Sequence, residues 1–395
     1  MPDLKTADAV VDDGADDIIY PTTIPFLLVH LACIGMLWTG VTPEILLVAF
    51  VLYVVRMFGV TAGYHRYFSH RTYRTSRIGQ FLLAFLAQSS AQRGAIWWAA
   101  QHRAHHKYSD TPQDVHSPRH RGFLYAHVGW IFSRRESKAD LSLVSDLTRY
   151  PELVWLDKYH LVPAFVLAIG VTLIWGWAGL FGGFFLSTSL LYHGTFMINS
   201  VAHVSGKQRY LTGDDSRNNW LLALITLGEG WHNNHHYYQT STRQGFRWWE
   251  IDISYYTLRL LSIPRLVTEL RSPPADVVHA QRPVSQGVLE RVAHQLAESF
   301  PLEAIADRVG QAWWESRAAL ELSGKGAGRR LGQLQDSLAE FARQELPTLD
   351  ELRTRARSMF AEGPHLEQVV ERGRQVILER LSRSVLDRQP GVSLA

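Results

Sequence analysis

The amino-acid sequence predicts an all-α integral membrane protein with four transmembrane helices and a cytoplasmic helical cap. Two stretches, residues 18–43 and 159–206, contain no Asp, Glu, Lys or Arg. A third apolar stretch follows Pro43 and carries one internal charge, Arg56. Uncharged apolar segments of about 20 residues are long enough to cross a bilayer as helices. Together the three stretches provide enough chain for four spans.

The first two spans are expected to form a hairpin. The segment "IPFLLVHLACIGMLW" is apolar throughout, and "EILLVAFVLYVVRMFGVTAGYH" follows it after the short linker "WTGVTP". The long side chain of Arg56 is expected to reach toward a membrane interface, because arginine can bury its stem while its charge stays in water. A stretch of six residues between the spans permits only a tight reversal of the chain.

The third and fourth spans are expected between residues 159 and 206, with a turn near "WGWAGLFGG". The long segment from Arg66 to Lys158 carries many Arg and Lys residues, whereas the two short linkers carry none. Positive loops stay on the cytoplasmic side, so we expect the cap, the active site and both termini to be cytoplasmic in a multi-pass protein. The acidic N-terminal residues argue against a cleaved signal peptide.

Composition divides the chain into three regions: a disordered acidic segment (1–20), a four-span region with its cap (21–280) and an amphipathic helical extension of unknown role (281–395). The short apolar stretches 78–92 and 220–228 are expected to lie on the membrane or to dip into the protein. Cys33 is the only cysteine, which excludes an intrachain disulfide. The formal charge of +3 gives no reason to expect a nucleic-acid partner.

Histidines occur in four clusters near the cytoplasmic ends of the predicted spans. "HRAHH" (102–106) and "HNNHH" (232–236) repeat the spacing i, i+3, i+4, which puts three imidazoles on one helix face. "HRYFSH" (65–70) has a spacing of five, which a straight α-helix does not align on one face. "NSVAH" adds Asn199 and His203 at the end of the fourth predicted span.

One histidine near a membrane interface is usually a polar anchor, but nine at one depth indicate metal ions. A structural zinc site takes four ligands, so nine imidazoles exceed one site and fit two metals. The absence of thiolates suits iron, copper, nickel or zinc, and the histidines alone leave that choice open.

With these motifs the chain resembles the membrane fatty-acyl desaturase family, in particular its stearoyl-type acyl-CoA branch. The boxes HxxxxH, HxxHH and HxxHH correspond to "HRYFSH", "HRAHH" and "HNNHH", and "NSVAH" matches the family's additional ligand segment. The resemblance covers roughly residues 20–270 and implies a centre of two iron ions. It implies metal ligation by nine residues, namely His65, His70, His102, His105, His106, His203, His232, His235 and His236. Asn199 matches the position that contacts the metal through water.

The resemblance implies a reaction that inserts a cis double bond, between carbons 9 and 10, into the middle of a saturated acyl chain. O₂ would be the co-substrate, and two electrons would come from a separate donor such as ferredoxin or a b-type cytochrome with its reductase. Acyl-CoA is the expected carrier. However, Ala100 and Gln101 stand where the animal acyl-CoA branch has Arg-Asp, which favours an acyl-lipid carrier as the alternative.

Two other functions remain open from the sequence. A hydroxylase or monooxygenase could use the same metal scaffold, and a membrane metal transporter or sensor could use a histidine-lined site. Transport is disfavoured because transporters place their ligands near mid-membrane. Among the aromatic residues, the candidates for substrate contact are Trp97, Trp98, Trp130 and Trp231, although tryptophan is also enriched at membrane interfaces without any such role.

Overall fold

The computed structural model describes residues 24–133, 138–311, 346–360 and 363–387. The segment 1–20, predicted to be disordered, lies outside the described residues. The chain divides into two units, one formed by Met1–Lys207 with Asp214–Pro274 and the other by Gln208–Gly213 with Ala275–Ala395.

The first unit begins with an apolar hairpin. Helix α1 (Ile24–Ala32) continues through a 3₁₀ turn, Cys33–Gly35, into α2 (Met36–Thr39), and α3 (Pro43–Phe58) follows after three residues. The hydroxyl of Thr42 accepts a hydrogen bond from the Ile45 amide, and the next residue is proline, so α3 has both a side-chain cap and a favourable first residue. Helix α3 runs directly into a π-helical segment, Gly59–Ser69.

The second apolar region consists of α10 (Val162–Ala178), a π-helical segment Gly179–Phe185, and α11 (Leu186–Val204). Gly176 adopts φ 62°, a left-handed conformation that breaks the helix. The expected turn near "WGWAGLFGG" is therefore confined to this glycine, and residues 179–185 are helical. By length and composition, Pro43–Ser69 and Val162–Val204 are able to cross a membrane, and Ile24–Thr39 is a shorter apolar stretch. The fold is mostly helical with two long apolar stretches, and four separate spans stay a prediction.

Arg56 does not reach an interface, contrary to the sequence-based expectation. Its side chain is only 1 % exposed. Its five N–H groups donate to acceptors on α3, on α11 and its preceding π segment, and on one further residue of the cap, namely Leu52, Ser187, Thr188, Phe184 and Ser89. The guanidinium stays buried because neutral oxygens satisfy its whole hydrogen-bonding capacity within the protein.

The cap consists of short helices and turns around one two-stranded antiparallel sheet. Strand β1 pairs with β2 through Arg74 opposite Thr268 and Thr75 opposite Val267. The helices and strands are β1 (Arg74–Thr75), α4 (Arg77–Gln88), α5 (Ala95–Tyr108), α6 (Pro118–Arg121), α7 (Phe123–His127), α8 (Ser145–Thr148), α9 (Pro151–Lys158), α12 (Trp220–Ile225), α13 (His232–Tyr237), α14 (Ile253–Ser262) and β2 (Val267–Thr268). The 3₁₀ turns Gly129–Phe132 and Leu141–Val144 join α7 to α8.

Small residues bring α4 and α5 close to the π segment that follows α3. Ala84, Ala87, Ala95 and Ala99 are fully buried. A Cβ on Gly63 would lie 3.2 Å from the Leu83 side chain, so the backbone of the π segment sits directly against α4. This close packing fixes the segment that carries the first histidine box against the helices of the cap.

The two short apolar stretches of the cap form helices with one buried and one exposed face. In α4, Gln80 and Ala84 are buried whereas Ile78 and Leu82 are exposed. In α12, Leu222 is buried whereas Trp220 is 69 % exposed. Apolar side chains exposed on one face are typical of helices that lie at a membrane surface.

The second unit contains α15 (Ala275–Val278), α16 (Gln286–Glu298), α17 (Leu349–Met359) and α18 (Leu366–Asp387). Val292, Leu296, Leu352, Val369 and Ile377 form part of its apolar core. Helix α17 begins with a capping box between Thr348 and Glu351. The described part of the predicted extension is thus helical, while residues 312–345, 361–362 and 388–395 lie outside the described residues.

Candidate metal centre

The nine histidines singled out from the sequence lie on four helical segments that meet at one end of the apolar helices. His65 lies on the π segment and His70 directly follows it. The His70 amide donates to the His65 carbonyl at 3.2 Å, which is the i to i+5 bond of a π turn. Because a π turn holds more residues than an α turn, the five-residue spacing puts the two imidazole rings 4.9 Å apart.

Five of these histidines form one cluster, here called the five-histidine cluster. One ring nitrogen of each lies within 4.8 Å of those of the others. The Nε2 atoms of His70 and His102 are 2.8 Å apart, and those of His65 and His235 are 3.0 Å apart. The members are His65, His70, His102, His106 and His235.

The other four form a second group, the four-histidine cluster, which satisfies the same distance limit. Its members are His105, His203, His232 and His236, and all four are buried. The Nε2 atoms of His203 and His232 are 3.1 Å apart. The two boxes with three histidines each contribute to both clusters. His102 and His106 of the second box belong to the five-histidine cluster, and His105 belongs to the four-histidine cluster.

Four carboxylates, three of them on buried residues and the fourth on the partly exposed Asp214, contact the Nδ1 atoms of histidines in both clusters. The Nδ1 atom lies 2.8 Å from a carboxylate oxygen in two of these pairs and 3.0 Å in a third. A carboxylate that accepts the Nδ1–H bond fixes the tautomer and leaves Nε2 as the metal-binding atom. The pairs are His203 with Asp110, His236 with Asp214, His105 with Asp114 and His65 with Glu229.

Glu229 is itself held by a buried arginine. The guanidinium of Arg66 donates to Glu229 at 2.9 Å and to Asp252 at 2.8 Å. Burial acts to raise the pKa of Glu229, but its contacts with His65 and with the Arg66 guanidinium outweigh burial and lower the pKa overall. The carboxylate therefore stays ionised and can accept a hydrogen bond from His65.

These supporting residues were missed by the sequence reasoning. Asp110 and Asp114 follow the second box within eight residues, and Glu229 precedes the third box by three. Their positions next to the boxes were available as a signal, since histidine ligands usually donate their second N–H to a carboxylate or carbonyl. Asp214 offered no comparable signal because it lies in a separate loop.

The donor set fits two bound cations. The buried Nε2 of His236 has no hydrogen-bond partner among the described residues, so an acceptor lone pair at the four-histidine cluster is free. Burial lowers the pKa of His102, His106 and His235 well below the usual value, and neighbouring imidazoles lower it further. These rings are therefore neutral near neutral pH, which is the protonation state that binds metal.

An apolar cavity of about 280 Å³ lies next to the five-histidine cluster. Trp97, Trp98 and Trp130 line it, together with His102 of that cluster. Asn199 also lines the cavity, and its proposed contact with the metal through water stays a prediction. Trp231 is not among the lining residues; it is 8 % exposed and its indole N–H donates to the Ile251 carbonyl at 2.8 Å.

The sequence of the chain is similar to those of known enzymes. The family model described as "Fatty acid desaturase" matches residues 42–263. The chain is 34 % identical over 261 residues to an "sn-1 stearoyl-lipid 9-desaturase" from Anabaena variabilis, which covers 64 % of this chain and 94 % of that protein. It is 34 % identical over 230 residues to an "Acyl-CoA C20 Delta5-desaturase" from Anemone leveillei, covering 57 % and 73 %, respectively. It is 33 % identical over 292 residues to a "Probable acyl-CoA desaturase" from Schizosaccharomyces pombe, covering 71 % and 60 %.

Proposed function

Because the chain belongs to the fatty acid desaturase family, we propose that it inserts a cis double bond between carbons 9 and 10 of a saturated long-chain acyl group. The observation that carries this proposal is the meeting of the apolar cavity with the five-histidine cluster at His102. An acyl chain in this cavity would have its methylene groups next to the metal ligands.

We propose that two iron ions occupy the histidine clusters. Bound there, iron would supply the redox chemistry that couples reduction of O₂ to removal of two hydrogen atoms from adjacent carbons, which zinc does not supply. The reaction balances as RCH₂CH₂R′ + O₂ + 2 e⁻ + 2 H⁺ → RCH=CHR′ + 2 H₂O. The nine predicted ligands, from His65 to His236, are proposed to divide five and four between the two ions.

The residues of the chain are proposed to hold the ligands and to shield the reaction from water. Trp98 stacks on the His102 ring, with ring centroids 5.0 Å apart, and it also stacks on the Tyr64 ring, with centroids 5.3 Å apart. This stack fixes the orientation of an imidazole that borders both the cavity and the cluster. Trp97 and Trp130 lie parallel, 6.4 Å apart, and present flat apolar surfaces to a chain in the cavity. Such packing orients one C–C bond and excludes water.

We propose a lipid-linked acyl chain as the first candidate substrate and acyl-CoA as the second. Ala100 is fully buried, and the amide of Gln101 donates to the Lys138 carbonyl at 3.0 Å. Arg93 is the single Arg or Lys among the described residues that line the cavity. Several phosphates, as in CoA, call for several cations. Among the relatives, the stearoyl-lipid desaturase from Anabaena variabilis supports the first candidate, and the acyl-CoA desaturases from Anemone leveillei and Schizosaccharomyces pombe support the second.

We further propose a multi-pass protein with four spans, a cytoplasmic cap and cytoplasmic termini, in which residues 21–280 carry the reaction. Leu173 on α10 is 82 % exposed and Leu37 on α2 is 88 % exposed, which supports contact with lipid. The two electrons would come from a separate ferredoxin or b-type cytochrome with its reductase, because the sequence contains no haem-binding or flavin motif.

The test is expression in a bacterial host that has no oxygen-dependent mid-chain desaturase of its own. Gas chromatography with mass spectrometry should detect a new acyl chain two mass units lighter than its parent, with the double bond at carbon 9. A gain of sixteen mass units would instead indicate hydroxylation, and metal flux without any change in lipid would indicate transport. Purified protein in nanodiscs, supplied with either distearoyl-phosphatidylcholine or stearoyl-CoA, decides between the two carriers.

A further inference from the structure

A second pocket reaches the five-histidine cluster from the protein surface. It is lined by residues of the first two boxes and of the segment after α13, namely Ser69, His70, Arg103, His106, Lys107, Gln239 and Thr240. His70 and His106 are partly exposed, whereas His65 and His235 are buried. The cluster therefore meets the acyl cavity at His102 and the surface at His70 and His106.

Cations surround this opening. Arg103 and Lys107 line the pocket itself, and a neighbouring surface pocket is lined by Arg71, Arg74, Arg149 and Arg271. Asp146 connects the two pockets, because it accepts hydrogen bonds from both Arg71 and Arg103 at 2.8 Å. It is also the single carboxylate among the lining residues of both pockets, against six cations. Arg74 also pairs with Glu269 at 2.9 Å, so six cations stand against two carboxylates and the face is net positive.

We propose that these two pockets together form the docking face for a small acidic protein that carries one electron at a time. The inference rests on the proposed desaturase function and names its partner surface. The carrier would approach until its redox group lies over the His70 and His106 rings. A single imidazole ring, that of His70 or His106, would then lie between the carrier and the proposed metal. Two such carriers supply the two electrons of the balanced reaction, and each leaves oxidised.

The composition of the face favours a protein over a membrane surface. Among the residues that line the two pockets there is no Leu, Ile, Val or Phe. A surface that inserts into lipid presents exposed apolar side chains, as α4 and α12 do with Ile78, Leu82 and Trp220. The lining consists of cations, polar groups and three tyrosines, with the His70 and His106 rings inside the first pocket. Such a charged surface complements an acidic protein that must come close to the proposed metal.

The test uses the full-length, iron-loaded protein in nanodiscs with a soluble acidic [2Fe–2S] ferredoxin as the electron source. Lys107→Glu and Arg149→Glu reverse charges at the two pockets, and Lys107→Gln is the milder form for the case that charge reversal impairs folding. Arg374→Glu is the matched control, since Arg374 is an exposed arginine on α18. Steady-state KM for ferredoxin, its salt dependence, KM for the acyl substrate and binding of oxidised ferredoxin to the metal-free protein are measured.

We expect each charge reversal to raise KM for ferredoxin, and its Kd for the metal-free protein, by about tenfold at low salt, with a smaller rise for Lys107→Gln. The effect should fade as salt is added, and KM for the acyl substrate and the control should not change. An unchanged KM for ferredoxin, or a raised KM for the acyl substrate instead, overturns the inference. The same holds if the variants change only the dependence on phosphatidylglycerol in the nanodisc. Single-turnover product from chemically reduced wild-type protein separates the two proposals, because its absence would refute the desaturase function itself.

Discussion

The imidazole of His203 and the carboxylate of Asp110 are 2.8 Å apart although 93 residues separate them in the chain. Both are buried, and Asp110 also accepts hydrogen bonds from the Ser117 hydroxyl and the Asp215 amide. The contact joins the loop after the second box to the end of α11. Two donors thus hold the Asp110 carboxylate in addition to the His203 imidazole that it orients.

Replacing Asp110 by Asn should weaken metal binding while leaving all nine histidines in place. The neutral amide is a poorer acceptor for the Nδ1–H group, so the orientation and basicity of His203 are less well defined. Loss of such a supporting partner typically costs 10- to 100-fold in metal affinity, and we expect about that range here. Competition with a chelator on the purified protein gives the affinity. Asp276→Asn, at an exposed ion pair with Arg282, is the control; equal affinities for both variants would contradict the assignment.

Replacing His105 by Ala should remove a ligand of the four-histidine cluster. We expect loss of desaturation and a fall in bound iron from two ions toward one per chain. Elemental analysis and product chromatography measure the two effects. His279→Ala removes an exposed histidine whose Nδ1 contacts the Ala275 carbonyl, and it should keep full iron content and activity. Retained activity in the His105 variant would mean that the ligand set is wrong.

Filling the cavity should change the preferred chain length. Thr195 lines the cavity, and its hydroxyl accepts a hydrogen bond from the Gln92 amide at 3.1 Å. Thr195→Phe adds a ring to a space of about 280 Å³. Overpacking of this kind costs roughly 1–3 kcal/mol, so kcat/KM for an 18-carbon chain should fall about tenfold or more relative to a 14-carbon chain. Thr195→Ser is the control, and equal losses for both chain lengths would argue against a steric effect.

The ion pairs of Asp146 predict a pH-dependent contribution to stability. Partial burial acts to raise its pKa, but hydrogen bonds and charge from Arg103 and Arg71 outweigh that and lower the pKa. A carboxylate whose native pKa is lowered stabilises the fold above its unfolded pKa of 3.8 and loses that effect as pH falls through the native pKa. Asp146→Asn should therefore lower the melting temperature near neutral pH, and the difference from wild type should shrink below about pH 4. Thermal unfolding in detergent, with Asp350→Asn as an exposed control, tests this; a difference that grows toward low pH would contradict it.

Arg56→Lys should destabilise the packing of the apolar helices even though the charge is kept. Lysine has three donors on a flexible stem, whereas Arg56 uses five N–H groups. The oxygens left without a donor cost about 1–3 kcal/mol each when buried. The melting temperature of the variant in detergent should fall clearly below that of Arg259→Lys, an exposed control on α14. Equal melting temperatures would show that fewer than five of these bonds matter.

The sequence alone predicted the helical fold, the apolar stretches and the grouping of nine histidines. These features are encoded locally: hydropathy depends on neighbouring residues, and i, i+3, i+4 spacing reports one helix face. The desaturase class followed from motifs, and the family match bears it out. The division of the histidines into five and four was not predictable, because it depends on which histidines of the other segments lie beside each imidazole of α5.

The buried polar partners were also beyond sequence reasoning. Arg56 reads as a residue that reaches an interface until Ser187 and Thr188 of α11 are known to lie beside it. Likewise, Trp231 resembles the other tryptophans in composition but donates to Ile251 in the cap instead of lining the cavity. Both outcomes depend on contacts between residues that are far apart in sequence, and hydropathy carries no information about them.

The π-helical segment Gly59–Ser69 explains the five-residue spacing of the first histidine box. A gap of four residues between two ligands measures the backbone winding at that point, since an α-helix would align histidines separated by three. Losing one residue between His65 and His70 while the segment rewinds to an α-helix would keep both ligands facing the metal. Ligand spacing in this sequence is therefore a record of local helix pitch, and the i, i+5 spacing of His65 and His70 corresponds to one π turn.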